Sequence, residues 1–327
     1  MSESILLGVG TDNGALVLRQ GPPHAHWELI VHGLYNRHIA CIAQHPDGSI
    51  WAGAANGTVY RTRDWENWEP SFEGLRYTSV YSLAIDSRDP DVIYAGTSPA
   101  TVFRSTDRGR TWQELSAYRK VDGVDKWSFD RPPYLPRVRR FLQHPTQPKL
   151  LMSAIQFGGV VMSPDGGESW EARYDGLPRQ VYDINVHPGS PARIYASTVI
   201  GFFRSDDLGK SWRNLVQGMP YLFSRCLAID SEDPELVVLG VDRRQDGGGT
   251  IFRSENGGLN WQIASSGLSG LDSSSMTCMT SGHGLFFAGT DKGDLFASFD
   301  GGKFWPKIRP PLHAIRSLAV LNPRGRA

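Results

Sequence analysis

The sequence predicts an all-β fold, a single seven-bladed β-propeller of four-stranded antiparallel blades, and three observations carry that expectation. A block of the form S-x-D-x-G-x-S/T-W recurs along the chain. Seven tryptophans, at 27, 68, 112, 170, 212, 261 and 305, mark seven units. The chain also opens on a second strand without a first and closes on a first strand without the rest. A length of 327 would ordinarily suggest two domains, but a closed ring takes up the whole chain, so residues 1–327 read as one unit. With 36 glycines and 21 prolines, and no helix formers at helical spacing, short strands and tight turns account for the composition.

The first unit starts at strand-like Leu6-Leu7-Gly8-Val9 and keeps only Trp27 of its block. The second has a shortened relic, Thr62-Arg63-Asp64-Trp65-Glu66-Asn67-Trp68. The third is complete, running from Val80-Tyr81-Ser82-Leu83-Ala84-Ile85 through Val92-Ile93-Tyr94-Ala95-Gly96-Thr97 and Thr101-Val102-Phe103-Arg104 to the block Ser105 to Trp112. The fourth and fifth carry Ser163 to Trp170 and Ser205 to Trp212. The sixth and seventh drift, with Asn256 in the aspartate place and Phe304 in the hydroxyl place. In this block a carboxylate accepts N–H bonds of its own turn, a glycine supplies positive φ, and the tryptophan covers the hairpin, so Asp107, Asp165 and Asp207 read as turn formers. His45, His144 and His187 stand before prolines where other units have Asp86 or Asp230, and read as turn residues too. Ile315-Arg316-Ser317-Leu318-Ala319-Val320 repeats the first-strand pattern and should join Leu6 to Val9, closing the ring and removing an open edge.

The block, the D-P-x-x-I/V-Y-A-G-T segment and the strand order resemble the Asp-box (BNR) propeller superfamily, which includes sialidases, xyloglucanase-type glycosidases, the sortilin receptor domain and photosystem II assembly-factor propellers. The resemblance covers nearly the whole chain. It implies a fold, not an activity. It also implies that the boxes lie on the face away from the active sites of the glycosidase members, so a site here should lie where each unit enters its first strand.

Those junctions are rich in arginine, although the chain carries 34 basic and 34 acidic residues and has no net charge. That balance argues against general polyanion binding, so no nucleic-acid partner is expected. Arg37, Arg137, Arg179, Arg225 and Arg316, with His313, are the expected ligand-binding residues of an anion pocket; Arg140 and Asp183 stand at equivalent places on adjacent units, where they can pair. An insertion, 117–136, should lie over the same face, with Trp127 or Tyr134 closing on the ligand. The function expected is binding of a small anion or sugar acid bearing carboxylate, phosphate or sulfate, with lyase- or hydrolase-type conversion open to it. His38, Tyr134 and Asp183 are the proton-transfer candidates. Sialidases carry an R-I/V-P motif that is missing here. The rival reading is a protein- or peptide-binding scaffold.

No cofactor or metal is expected: His24-Ala25-His26 lacks further ligands. Cys41, Cys226 and Cys278 fall in apolar strands and read as buried free thiols. The N-terminus has no basic-then-apolar export pattern and no stretch reaches membrane-spanning length, so the expectations are a cytoplasmic setting and no membrane partner.

Overall fold

The computed structural model describes residues 4–21, 26–244, 247–309 and 311–322. Seven four-stranded antiparallel sheets form, each pairing its strands in sequence order from the inside of the ring outward. The inner strands of blades 2 to 7 are Ile39–Gln44, Ser79–Ile85, Arg137–Gln143, Val181–Val186, Phe223–Ile229 and Met276–Gly282. Blade 1 takes its inner strand from the other end of the chain: Ile315–Leu321 pairs antiparallel with Leu6–Thr11, setting Leu321 opposite Leu6 and Leu318 opposite Val9. Each inner strand touches the inner strands of both neighbouring blades, which closes the circle.

Apolar residues fill the spaces between blades. Tyr94 and Val102 of blade 3, for example, share a core with Val138, Phe141 and Leu151 of blade 4. Close approach depends on one position of the second strand. In Gly53, Gly96, Gly240 and Gly289 the missing side chain leaves room for an apolar residue near the start of the next blade's inner strand, namely Val80, Val138, Met276 and Ile315. A Cβ on Gly96 would stand 2.5 Å from Val138 Cγ1.

The repeated block behaves as a turn. Asp107 Oδ1 accepts from Thr111 N at 2.9 Å and from Ser105 Oγ at 2.7 Å, while Oδ2 accepts from Thr111 Oγ1 at 2.6 Å. Asn256 Oδ1 keeps the backbone bond, from Asn260 N at 3.0 Å, which is why an amide can replace the acid there. The tryptophans of blades 3, 5 and 6 tie each blade to the one before: the indoles of Trp112, Trp212 and Trp261 donate to Ser71 Oγ, Arg173 O and Leu215 O. The His-Pro residues also do turn work. His144 Nδ1 accepts from Gln147 N at 3.1 Å, as Asp86 Oδ1 accepts from Arg88 N at 2.8 Å, and its Nε2 reaches Pro191 O of the next blade at 2.8 Å.

Two departures from the sequence expectation appear in the insertion. Short 3-10 turns form at Ser116–Lys120 and Val124–Lys126. Trp127 is buried with Tyr118 and Val121 in the core between blades 3 and 4, so it is no lid: its indole packs edge-on against Tyr118 at 5.6 Å, and burying that surface outweighs leaving it mobile over a cavity.

Two outcomes follow. Deleting 314–327 should strip the inner strand from blade 1 and abolish a single cooperative thermal transition; unchanged melting would contradict the clasp. Gly96→Ala should lower stability by about 1–3 kcal/mol in denaturant unfolding, since neither Val138 nor the strand can move away without loosening the next blade.

Candidate functional site

Every inner strand begins with the same irregularity. Its register against its partner slips by one residue near its start, leaving a bulge residue unpaired: Ala40, Tyr81, Arg139, Tyr182, Arg225, Thr277 and Arg316, one from each of the seven blades. The residue before each bulge is fully buried between blades, as for Ile39, Val80, Val138 and Val181. A strand alternates its side chains, and an extra residue re-aims them, so the buried anchor holds the strand while the bulge residue turns to the axis. All seven bulge residues line the narrow axial channel.

Above that ring the channel widens to a cavity of about 500 Å³, walled by six of the seven together with His38, Phe129, Asp130, Arg131, Arg137, Gln156, Gln180, Val199 and Phe223. Five of these lining residues are arginines and one is an aspartate, in a chain with no net charge.

Carboxylates stand behind two of the arginines. Arg316 forks onto Asp12, Nε to Oδ1 at 2.7 Å and Nη2 to Oδ2 at 2.6 Å. Burial pushes the Asp12 carboxyl up, but Arg316, His38 and His313 outweigh it and hold it below the usual range. Arg225 Nε donates to Asp242 Oδ2 at 3.1 Å, and its guanidinium lies over Phe223 at 4.7 Å. The Asp242 side chain is fully buried and accepts from Met276 N at 3.0 Å; burial pushes its pKa up to about 6 against the pull of Arg225. Arg137 stacks on Phe129 at 3.8 Å and on Tyr81 at 4.9 Å. Arg139 is different: its Nε is buried without a hydrogen-bond partner, and burial, with Arg137 and Arg225 nearby, pushes its pKa down.

The expected residues divide accordingly. His38, Arg137, Arg225 and Arg316 meet at the cavity. Arg37 does not join them; it donates to Asn56 O at 3.2 Å and lies over Tyr60. Arg179 is held on Tyr174, with a bond to its hydroxyl at 3.0 Å, and His313 is exposed, 3.1 Å from Asn13 Nδ2. Tyr134 is exposed and outside the lining, whereas Phe129 to Pro132 of the same insertion do form one wall. Asp183 faces the channel below the bulge ring, 3.6 Å from Arg140, where burial raises its pKa against that arginine. Arg316 and Arg225 have carboxylate partners that the sequence did not indicate: Asp12 in the turn after Leu6–Thr11, and Asp242 on Val237–Arg244, the strand paired with that of Arg225.

Arg139, Asp12 and Asp242 were not among the residues expected. A signal for Arg139 exists: aligning the inner strands puts it in a column that varies from Ala to Tyr to Thr to Arg, directly after an anchor that is apolar in six of the seven strands. Among the described residues no group of three His, Cys, Asp or Glu side chains could hold a metal ion; His24 lies outside them.

No protein-family model matches the chain. A xyloglucanase of a Paenibacillus species is 24% identical over 263 residues, 75% of this chain and 22% of the relative, and Xyloglucanase Xgh74A of Acetivibrio thermocellus is 24% identical over 65% of this chain and 24% of its own length. The chain thus spans about a quarter of the length of these curated relatives. Among solved structures, the GH74 xyloglucanase of Xanthomonas campestris superposes with a TM-score of 0.63 at 19% identity, over 82% of this chain and 45% of its own. YCF48 bound to D1 peptide superposes with a TM-score of 0.59 at 17% identity, over 82% of this chain and 81% of its own.

Titration of Asp242 tests the site's electrostatics. Its folded pKa lies above the unfolded one, so its contribution to stability is greatest below the unfolded value and declines as pH rises through about 6. Carboxyl ¹³C NMR should show a midpoint near 6, moving higher in Arg225→Gln; a midpoint in the ordinary carboxylate range would contradict the buried pair. By fold, then, the protein is a seven-bladed β-propeller, similar both to xyloglucanases and to YCF48 bound to D1 peptide.

Proposed function

We propose that the central cavity binds a small hydroxyl-bearing anion of the sugar-acid class, its charged group seated against Arg139 between Arg137, Arg225 and Arg316. The observation that carries this reading is Arg139, on the cavity wall near Arg137 and Arg225, whose Nε is buried with no hydrogen-bond partner. A guanidinium N–H left unsatisfied away from water is costly, Asp183 offsets only part of the repulsion from Arg137 and Arg225, and an anionic ligand removes that cost. Asp12 and Asp242 neutralise only part of the arginine charge around the cavity. The hydroxyls of Tyr81 and Tyr182 and the amides of Gln156 and Gln180 supply hydrogen-bonding groups for a polyol body. The volume suits a ligand of monosaccharide size.

Xyloglucanase relatives make sugar hydrolysis a natural comparison, and two carboxylates flanking a sugar bond would be needed for it. Here Asp12, Asp183 and Asp242 each engage an arginine, which favours binding of an acid over glycoside cleavage. A second reading, peptide binding, draws on the exposed Tyr134, Leu135, Ile200 and Leu222 and on the fold shared with YCF48 bound to D1 peptide.

Calorimetric titration with gluconate, glucuronate and sulfate tests the first reading. Arg139→Ala should weaken binding at least about tenfold, and the dependence on salt should be shallow because few charges are neutralised. If none of the three binds the wild-type protein, the anion reading fails and the peptide reading takes its place.

A further inference from the structure

We infer that the cavity transfers a proton as well as binding an anion, with His38 as the base and Asp12 as its positioning residue. The inference rests on the anion reading above and goes beyond it.

Placement of His38 is unusually well fixed. The loop that delivers it, residues 34–38, holds Leu34 and Asn36 at φ 55° and 62°, the left-handed region that side chains normally avoid. Two asparagines from neighbouring loops pin that strained path. Asn13 Oδ1 accepts from Asn36 N at 2.8 Å, and Asn56 Oδ1 accepts from His38 N at 2.8 Å while its Nδ2 donates to Asn36 O at 3.2 Å. Ala55 N donates to His38 O at 2.8 Å. Strain held in this way is characteristic of segments that aim a functional side chain.

The imidazole is set against the cavity wall with Nδ1 3.1 Å from Asp12 Oδ1. A carboxylate beside Nδ1 favours the tautomer with its proton there, which leaves Nε2 with a free electron pair. Arg316 grips both oxygens of Asp12, so the carboxylate is oriented and its charge is compensated. Burial lowers the His38 pKa, Asp12 opposes that, and Arg316, Arg139 and Arg137 add to it, so the ring is neutral and able to accept a proton near pH 7. Beside His38, the bulge position that is Tyr or Arg in neighbouring blades is Ala40, whose methyl leaves space for a ligand.

With the carboxylate of a sugar acid on the arginines, the carbon next to it is the acidic centre of the ligand. His38 Nε2 takes the proton from that carbon, and the C–H electron pair moves into the carboxylate to give an enediolate whose second negative charge faces the guanidinium groups. The imidazolium can return the proton to the same carbon. If the neighbouring carbon bears a leaving oxygen, the enediolate pair instead forms the carbon–carbon double bond, the C–O pair leaves with the oxygen, and the imidazolium proton neutralises it. No oxidant or cofactor enters either course.

The test uses gluconate, glucuronate and galacturonate in D2O, with ¹H NMR following loss of the proton beside the carboxylate and appearance of any alkene signal, and calorimetry following binding of the same acids. Exchange or elimination is expected for an acid that binds. His38→Gln should slow it roughly 10²–10⁴-fold with little change in binding, and Asp12→Asn should lower kcat more than it changes KM and move the acid limb of the pH–rate profile to lower pH. Tight binding without exchange, or exchange that survives His38→Gln, overturns the inference and leaves anion binding intact. Failure of all three acids to bind overturns both.

Discussion

Blade-to-blade contact at one position of the second strand is the constraint on which the rest of this structure depends. Where that position is glycine, as at Gly96 and Gly240, the residue just before the bulge of the following blade's inner strand moves in against bare backbone and is fully buried. Anchoring that residue fixes where each inner strand begins, and the slip in register immediately after it expels one residue from the pairing. Repetition of the same close contact around the ring therefore gives a circle of seven side chains whose backbone places are set by packing while their identities are free to vary. A scaffold of this kind separates stability from chemistry. The anchors cannot change without a cost in packing, and the bulge residues can.

Electrostatics then distinguishes the members of that circle. Arg316 and Arg225 are backed by Asp12 and Asp242, and these pairs lower the cost of putting guanidinium groups in a partly dry channel. Below the ring, Arg140 and Asp183 pair across adjacent blades, in the two blades where Ala154 and Ser197 replace the glycine opposite. Arg139 has no ion pair of this kind; Asp183 acts on it only from a greater distance, and its Nε is buried without a hydrogen-bond partner. Under the proposed reading, an arginine without an ion pair between two that have one is where a bound anion gains most, and the stacked Phe129–Arg137 and Phe223–Arg225 pairs frame it.

The ring and its closure were legible in the sequence because they rest on local, repeated chemistry. The Asp107 turn, the Trp112 plate and the strand pattern of 315–320 each declare themselves within a few residues. The site was legible only by region. Arg37 and Arg179 stand at junctions just as Arg137 does, and nothing in their sequence neighbourhood shows that Asn56 and Tyr174 hold them aside. Asp12 lies in the turn after Leu6–Thr11, 304 residues from Arg316 and near it only once the ring closes, and Asp242 sits on the strand paired with that of Arg225. A long aromatic loop suggests a lid at Trp127; instead residues 129–132 reach the cavity, and the tryptophan is buried in the core.

The proposed anion site centres on Arg139 in the bulge ring. Anomalous diffraction from a crystal grown with selenate examines that place directly. One anomalous peak is expected on the channel axis within hydrogen-bond distance of the Arg139 guanidinium and flanked by Arg225 and Arg316. A crystal in which selenate occupies only the outer surface, with the Arg139 head turned away from the axis, would contradict it.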